Sequence, residues 1–456
     1  MHVSEAPLLL GRVCRRWRDV VYDTAELWSA VHVATPLMSH SQHYALRLEA
    51  LEKWLSRSGN LALRISLYAN YASGDVTPFL DLIISLSQRW ERIALVIPST
   101  YFKQLAQSFS GDEALLHLRT FQLGDRLPLI EFPHIASPGN HADSIDPLRL
   151  LTLCPKIQCI SILLSEGSLY PLLPSSVATS LQELDIDFPT MFNCDLNRLL
   201  SFLTGCQSLR KLRIITPFHE LAFPAPSITL PLLECLIVNM FFNTAFATID
   251  NAEPPVITFL NHLVTPKLLY LEVLSTVDVN TAATSLNNLF ARSSCPLRTL
   301  TLYMENSNVE QGLRPLSSCL EYTNDLRKLT ISNRAGNDKL FVHLAYSTDG
   351  GTNYCPNLTH FKLGNYIDLP LDLLISDLSS LLDFARSRVN PPPGCASLEV
   401  LDLQDVIVPF QYFDSLFDPF LESVEELREQ GLKFLLPPDP LEHHPLVSPW
   451  YGLPIS

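Results

Sequence analysis

One spacing recurs along almost the whole of this 456-residue chain: an apolar residue, two variable ones, a second apolar residue, one variable, and a third apolar residue. It restricts the available folds more than any other feature. Its clearest copies are Leu181/Leu184/Ile186, Leu209/Leu212/Ile214, Leu297/Leu300/Leu302, Leu326/Leu329/Ile331 and Leu398/Leu401/Leu403. Weaker copies are Leu118/Phe121/Leu123, Ile157/Ile160/Ile162, Leu233/Leu236/Val238, Leu268/Leu271/Val273 and Leu358/Phe361/Leu363, and Trp90/Ile93/Leu95 opens the series. Between middle residues the intervals from Ile160 to Leu329 are 24, 28, 24, 35, 29 and 29. In a short parallel strand alternate side chains point to one face, and the leucine three residues earlier fills the turn into the strand. A single copy has too little core to stand alone. Stacked copies bury three aliphatic side chains each, at roughly 1.5 to 3 kcal/mol per side chain. The spacing therefore predicts an α/β solenoid.

The segments between copies support this. Leu196, Leu199, Leu200 and Leu203, then Leu286, Leu289 and Phe290, then Leu374, Leu378, Leu381, Leu382 and Ala385, have helical period. Earlier in the chain, Tyr44, Leu48, Leu51 and Leu55 predict a helix. Another is predicted to start at Thr77-Pro78, as cap plus first-turn proline, and to carry Leu82, Ile83 and Leu86. These lead into strands at 61–67 and 93–97. Cys154, Cys206, Cys295, Cys355 and Cys395 stand two or three residues before a copy and read as small buried fillers. Loops rich in Pro, Gly, Asn and Asp are expected at 128–147, 217–231, 243–255, 333–357 and 390–394. Near the end, a helix carrying Phe417, Phe420, Val424 and Leu427 precedes a last strand at 432–434, and a proline-rich tail follows at 437–456.

The N-terminal stretch is different. Leu10, Val13, Cys14, Trp17, Val20 and Val21 fall on one helical face, while Arg12, Arg15, Arg16, Arg18 and Asp19 take the other. Leu27, Trp28 and Val31 form a second short apolar set after a capping candidate at Asp23 or Thr24. Val13-Cys14-Arg15-Arg16-Trp17-Arg18 followed by Leu27-Trp28 resembles the second half of the F-box, the module that docks substrate receptors onto Skp/cullin ubiquitin ligases. The resemblance covers about thirty residues, and it places the first F-box helix, with its leucine-proline opening, upstream of Met1. It implies that Leu8, Leu9, Val13, Cys14, Trp17, Leu27 and Trp28 build the small core and the adaptor-binding surface. Together with Trp54-Leu55-Ser56-Arg57-Ser58-Gly59, this stretch resembles the F-box and leucine-rich-repeat proteins abundant in mushroom-forming fungi. The expected layout is a partial F-box-like helical segment at 1–35, an irregular leucine-rich-repeat horseshoe at 36–436 and the tail.

Composition narrows the function. The formal net charge of −15 argues against nucleic acid or an anionic membrane as the main partner. No apolar run is long enough to span a bilayer, and no signal peptide is legible, so a cytoplasmic or nuclear protein is expected. The ten cysteines form no CxxC pair. No nucleophile elbow, phosphate-cradling glycine loop, HExxH or dinucleotide fingerprint is present, so no catalytic residue, metal or cofactor is assigned. Glu442-His443-His444 lacks further convergent ligands, and Asn357-Leu358-Thr359 matches a glycosylation acceptor whose leucine a strand requires.

A binding surface remains. Glu183, Asp185 and Asp187 make one strand acidic, and Arg210, Lys211 and Arg213 make the next basic. Arg298, Tyr303, Arg327, Lys328, His360 and Lys362 form a later strip expected to meet an acidic segment of a partner. The resulting expectation is a non-enzymatic substrate receptor that binds a Skp-type adaptor and cullin scaffold and holds a target protein for ubiquitin transfer. The alternative is a protein-interaction scaffold that has lost adaptor docking.

Overall fold

A computed structural model describes residues 7–35, 43–69, 73–109, 114–125, 147–164, 173–188, 196–218, 227–242, 254–275, 279–304, 316–333, 338–346, 353–364, 371–405 and 413–436. The expected tail at 437–456, with Glu442-His443-His444, and most of the loop at 128–147 lie outside these residues. The chain forms two compact units divided at Leu269/Tyr270, with Arg292–Cys295 belonging to the first.

The first unit alternates strands and helices in the order β1 (Ala30–Ala34), β2 (Leu63–Tyr68), β3 (Trp90–Val96), β4 (Thr120–Gly124), β5 (Cys159–Leu163), β6 (Glu183–Asp187), β7 (Lys211–Phe218), β8 (Ile228–Thr229), β9 (Cys235–Phe242) and β10 (Leu263–Val264). Its helices are α1 (Arg15–Asp23), α2 (Tyr44–Arg57), α3 (Thr77–Ser85), α4 (Phe102–Ser108), α5 (Ser175–Ala178), α6 (Leu196–Thr204) and α7 (Pro255–His262). The second unit holds β11 (Tyr270–Ser275), β12 (Thr299–Met304), β13 (Lys328–Asn333), β14 (His360–Gly364), β15 (Val400–Asp405) and β16 (Lys433–Leu435). Its helices are α8 (Val279–Ser293), α9 (Ser317–Leu320), α10 (Asp338–Leu344), α11 (Leu371–Val389) and α12 (Phe413–Glu429). Among the described residues sixteen strands take part in parallel pairing within an α/β architecture, fourteen in the main series and β8 with β10 apart from it.

Register follows the sequence spacing. In the first unit Val31, Ile65, Ile93, Phe121, Ile160, Leu184, Leu212 and Leu236 are successive ladder partners. In the second, Leu271, Leu300, Leu329, Phe361, Leu401 and Phe434 do the same. Every one of these side chains is buried. Because side chains alternate across a strand, the residues before and after each of them stand on the opposite face. The strand entrances are tied by a repeated bond pattern: the carbonyl of Arg298 accepts from both Arg327 and Lys328, that of Arg327 from Thr359 and His360, and that of Thr359 from Glu399 and Val400. Burial of Cys154, Cys206, Cys295 and Cys355 just ahead of the strands fits the filler role, while Cys395 is half-buried.

Several elements depart from expectation. The segment at 1–35 is not a separate helical piece, since after a 3-10 turn at Ala25–Trp28 it ends in β1, which pairs with β2. Thr24 takes the N-cap position of that turn, its carbonyl accepting from the Leu27 amide, but without a side-chain capping bond, since its hydroxyl donates to the Val20 carbonyl at 2.6 Å; Asp23 closes α1. Thr77 does not cap α3. The carboxylate of Asp75 accepts from the Thr77 amide at 3.0 Å, and Pro78 occupies the first turn as predicted. The stretch at 333–357, expected as loop, contains α10, because burial of Leu340, Phe341 and Leu344 on one side outweighs the neighbouring Gly, Asn and Asp. Likewise Pro217 and Phe218 complete β7, and Ile228–Thr229 pairs with Leu263–Val264 as a small parallel ladder. Among the described residues no helix is long and apolar enough to cross a membrane.

Candidate interaction surfaces

The helix α1 is held by one end and one side. Arg18 Nε donates to the Gly11 carbonyl at 3.0 Å, joining the helix to the 3-10 turn at Leu10–Arg12. Val21 is buried, and the indole N–H of Trp28 donates to the Val21 carbonyl at 2.8 Å, satisfying a helix-end acceptor. Trp28 stacks on Tyr22 with centroids 5.9 Å apart and meets Trp54 edge-on at 4.9 Å. The Arg57 guanidinium lies 4.6 Å from the ring centroids of both Tyr22 and Trp28. This aromatic cluster fixes the orientation of α1.

The remaining apolar residues face outward. The spacing predicts that Leu10, Val13, Cys14, Trp17, Val20 and Val21 share one face, yet only Val21 is buried. Val13 is 64% exposed, Trp17 50% and Val20 53%, with Leu9 at 48%. Leu9 and Val13 precede α1, whose N-cap Cys14 is extended, so helical spacing relates only Trp17 and Val20, at i and i+3 of α1. Exposed apolar residues that include a tryptophan have the composition of an interaction site. Of the residues implied by the resemblance, Leu9, Val13, Cys14 and Trp17 are on the surface, and Leu8 and Leu27 are half-buried. Trp28 requires a correction: it is fully buried and serves the core, so it holds the surface in place without contributing to it. A recess of about 220 Å³ beside α1, reached past Pro7, Leu8 and Arg12, falls below the roughly 300 Å³ at which small-molecule pockets begin.

The charged strands of the first unit neutralise each other. β6 and β7 are in register at Asp185/Arg213. Arg213 reaches Asp185 at 2.7 Å and Asp187 at 2.9 Å, and Arg210 pairs with Glu234 at 2.9 Å. Burial works against the Arg213 guanidinium, but Asp185 and Asp187 outweigh it and hold its pKa above the ordinary value. Little net field is left there for a partner.

In the second unit the predicted strip divides. Lys328 and His360 are ladder neighbours, and Arg298 and Arg327 stand one residue ahead of their strands. Arg298, Arg327 and Lys328 are exposed. Lys362 lies one row further along, 3.8 Å from Asp402, and is partly neutralised. Tyr303, paired in register with Ser332, is at the far end of β12 from the cations. The sequence reading missed Lys433, which occupies the same row as Lys328 and His360 through Val400. The signal was available: the expected last strand at 432–434 places Lys433 in that row once its phenylalanine is aligned with Leu401. Burial, then Lys328 and Lys433, push the His360 imidazole below its usual pKa, with Glu399 opposing; its Nδ1 lies 2.8 Å from the Thr359 hydroxyl.

Among the described residues no group of three or more His, Cys, Asp or Glu is placed to hold a metal ion. No family model matches the chain, and no curated protein matches it.

Proposed function

We propose that this chain is the substrate-recognition subunit of a Skp/cullin-type ubiquitin ligase, with α1 docking the adaptor and a leucine-rich-repeat-like body binding the target. The single observation that supports it is the exposure of Leu9, Val13, Trp17 and Val20 on α1 and just ahead of it, where the last turn of the helix is held by Trp28 backed by Trp54 and Arg57. A rigid apolar surface that includes a tryptophan suits a helical partner. In this reading the chain performs no chemistry, and ubiquitin transfer belongs to the associated subunits.

The second reading, a scaffold without adaptor docking, is favoured by one feature. Helix, 3-10 turn, tryptophan and strand follow each other in α1–β1 and again in α3–β3, where Trp90 donates to the Ile83 carbonyl at 3.2 Å just as Trp28 does to Val21. On that basis α1 is one more rung of the body. Titration calorimetry with a purified Skp-type adaptor separates the two. Saturable binding that Trp17→Ala weakens by about 30-fold, the loss of a hot-spot anchor, supports the receptor reading. Absence of binding by the unaltered chain contradicts it.

A further inference from the structure

The second unit carries a row of cations that its own carboxylates leave largely uncompensated. Lys328, His360, Val400 and Lys433 occupy one row on the face opposite the core, and Arg298 and Arg327 flank its start; the lysines and arginines carry the charge, while His360, held below its ordinary pKa, adds a ring N–H at neutral pH. Among the described residues no carboxylate lies within ion-pairing distance of Arg298, Arg327, Lys328 or Lys433, whereas Arg64, Arg210 and Arg213 of the first unit are all paired. Two acids stand near the same edge, Glu399 one residue ahead of β15 and Asp325 three residues ahead of β13. The chain as a whole carries −15, so a concentration of positive charge here runs against its average.

The row also has a direction. Strands lie about 4.8 Å apart, so the distance from β12 to β16 is about 19 Å, which an extended peptide covers in about six residues. Lys328 and Lys433 stand three strands apart, about 14 Å, and side chains on one face of such a peptide recur about every 6.6 Å, so carboxylates four residues apart reach both lysines. We propose that Arg298, Arg327, Lys328, His360 and Lys433 bind an extended acidic segment of the target protein, laid across the strands at their entrance edge. This rests on the reading of the chain as a protein-recognition subunit and specifies what it recognises. Lys362 and Tyr303 take no part, since Asp402 occupies the first and the second is remote from the row. Exposed arginine and lysine supply attraction and orientation, and the specificity comes from the carboxylate separation that reaches both Lys328 and Lys433.

The test uses a fluorescein-labelled oligoglutamate peptide of about eight residues, slightly longer than the row, titrated into the full chain at low salt with anisotropy as the readout. Saturable binding is expected. It should weaken at least about tenfold in the Arg327→Glu/Lys328→Glu double variant and also in Lys433→Glu, and stay unchanged in Arg210→Glu. Two separated sites of substitution guard against a folding defect, and unchanged circular dichroism is required of each variant. No saturable binding, or equal affinity in all variants, overturns the proposal; so does a single-stranded oligonucleotide of equal charge that binds as tightly through the same residues. No adaptor is present in this titration, so its outcome and that of adaptor docking are independent.

Discussion

Arg388 is fully buried, and its guanidinium is spent on oxygen acceptors: the carbonyls of Leu344 at 2.7 Å, Tyr354 at 2.6 Å and Cys355 at 2.9 Å, and the hydroxyl of Tyr346 at 3.2 Å. Burial lowers its pKa, yet a guanidinium keeps its proton at any working pH. Arg89 and Arg292 do the same on a smaller scale, reaching the carbonyls of Leu61 and Leu260 at 3.0 Å. Arg89 ties the 3-10 turn after α3 to the stretch after α2, Arg292 reaches the last turn of α7, and Arg388 ties the end of α11 to the end of α10 and the turn before β14. Arg388→Met should cost about 3 kcal/mol in urea denaturation, because it strands several buried acceptors, and Arg388→Lys should not restore the loss since an ammonium cannot span them. Equal stability of all three proteins would remove this role. Nothing in composition marked Arg388 as interior; an arginine near a helix end reads as surface until the acceptors around it are known.

The cysteine thiols make a pH prediction at the same scale. Burial pushes Cys154, Cys206 and Cys319 up to about 12 and Cys355 to about 11, from an ordinary 9.0. The folded state thus holds these protons more tightly than the unfolded chain. That contribution is complete below pH 9 and is lost as pH rises from there towards 11 to 12. The denaturation midpoint should therefore fall between pH 8 and pH 10.5, a window that brackets the unfolded value, and replacement of Cys154 and Cys355 by alanine should flatten the fall. Iodoacetamide at neutral pH should label exposed Cys14 and spare the five buried thiols, Cys154, Cys206, Cys295, Cys319 and Cys355.

At the scale of elements, helices with a buried aliphatic period were legible: α2, α6, α8, α11 and α12 fall where their leucines predict. The orientation of α1 was not. Its apolar period is real, but periodicity states that a face exists and leaves open which partner covers it. Here Trp28, seven residues beyond Val21, takes the inward role that Trp17 was expected to share. Two tryptophans in one short motif therefore have opposite predicted phenotypes. Trp28→Ala should destabilise the first unit by about 3 to 5 kcal/mol, as for a large aromatic removed from a core. Trp17→Ala should shift stability by less than about 0.5 kcal/mol while reducing adaptor binding. Reversed sensitivities would mean that α1 packs with its other face inward. The loss of α10 to a loop assignment has a similar cause: Leu340, Phe341 and Leu344 are only one helical turn, too short a signal among turn-forming residues.

At the scale of the molecule, the parallel order and the rows follow from a pattern that needs no chemistry to detect. Leu184 beside Leu212 and Leu300 beside Leu329 are the alignments that the spacing demands. Surface rows are a consequence of the same register, and so is the cation row, which sequence reading found only in part because Lys433 lies more than a hundred residues beyond Lys328. The neutralised strands β6 and β7 show the limit of reading charge from sequence, since neighbouring opposite signs cancelled once paired. The account stands or falls on that register. Lys328→His would place a second imidazole directly beside His360 on the adjacent strand, about 4.8 Å away across the ladder, the spacing of a two-histidine zinc clip. Saturating Zn²⁺ should then stabilise this variant against urea by about 1 to 2 kcal/mol relative to the unaltered chain, with no gain in Tyr303→His, which lies out of the row. A Lys328→His protein that folds but gains nothing from zinc, or a Tyr303→His protein that gains as much, would contradict the alignment of the strands.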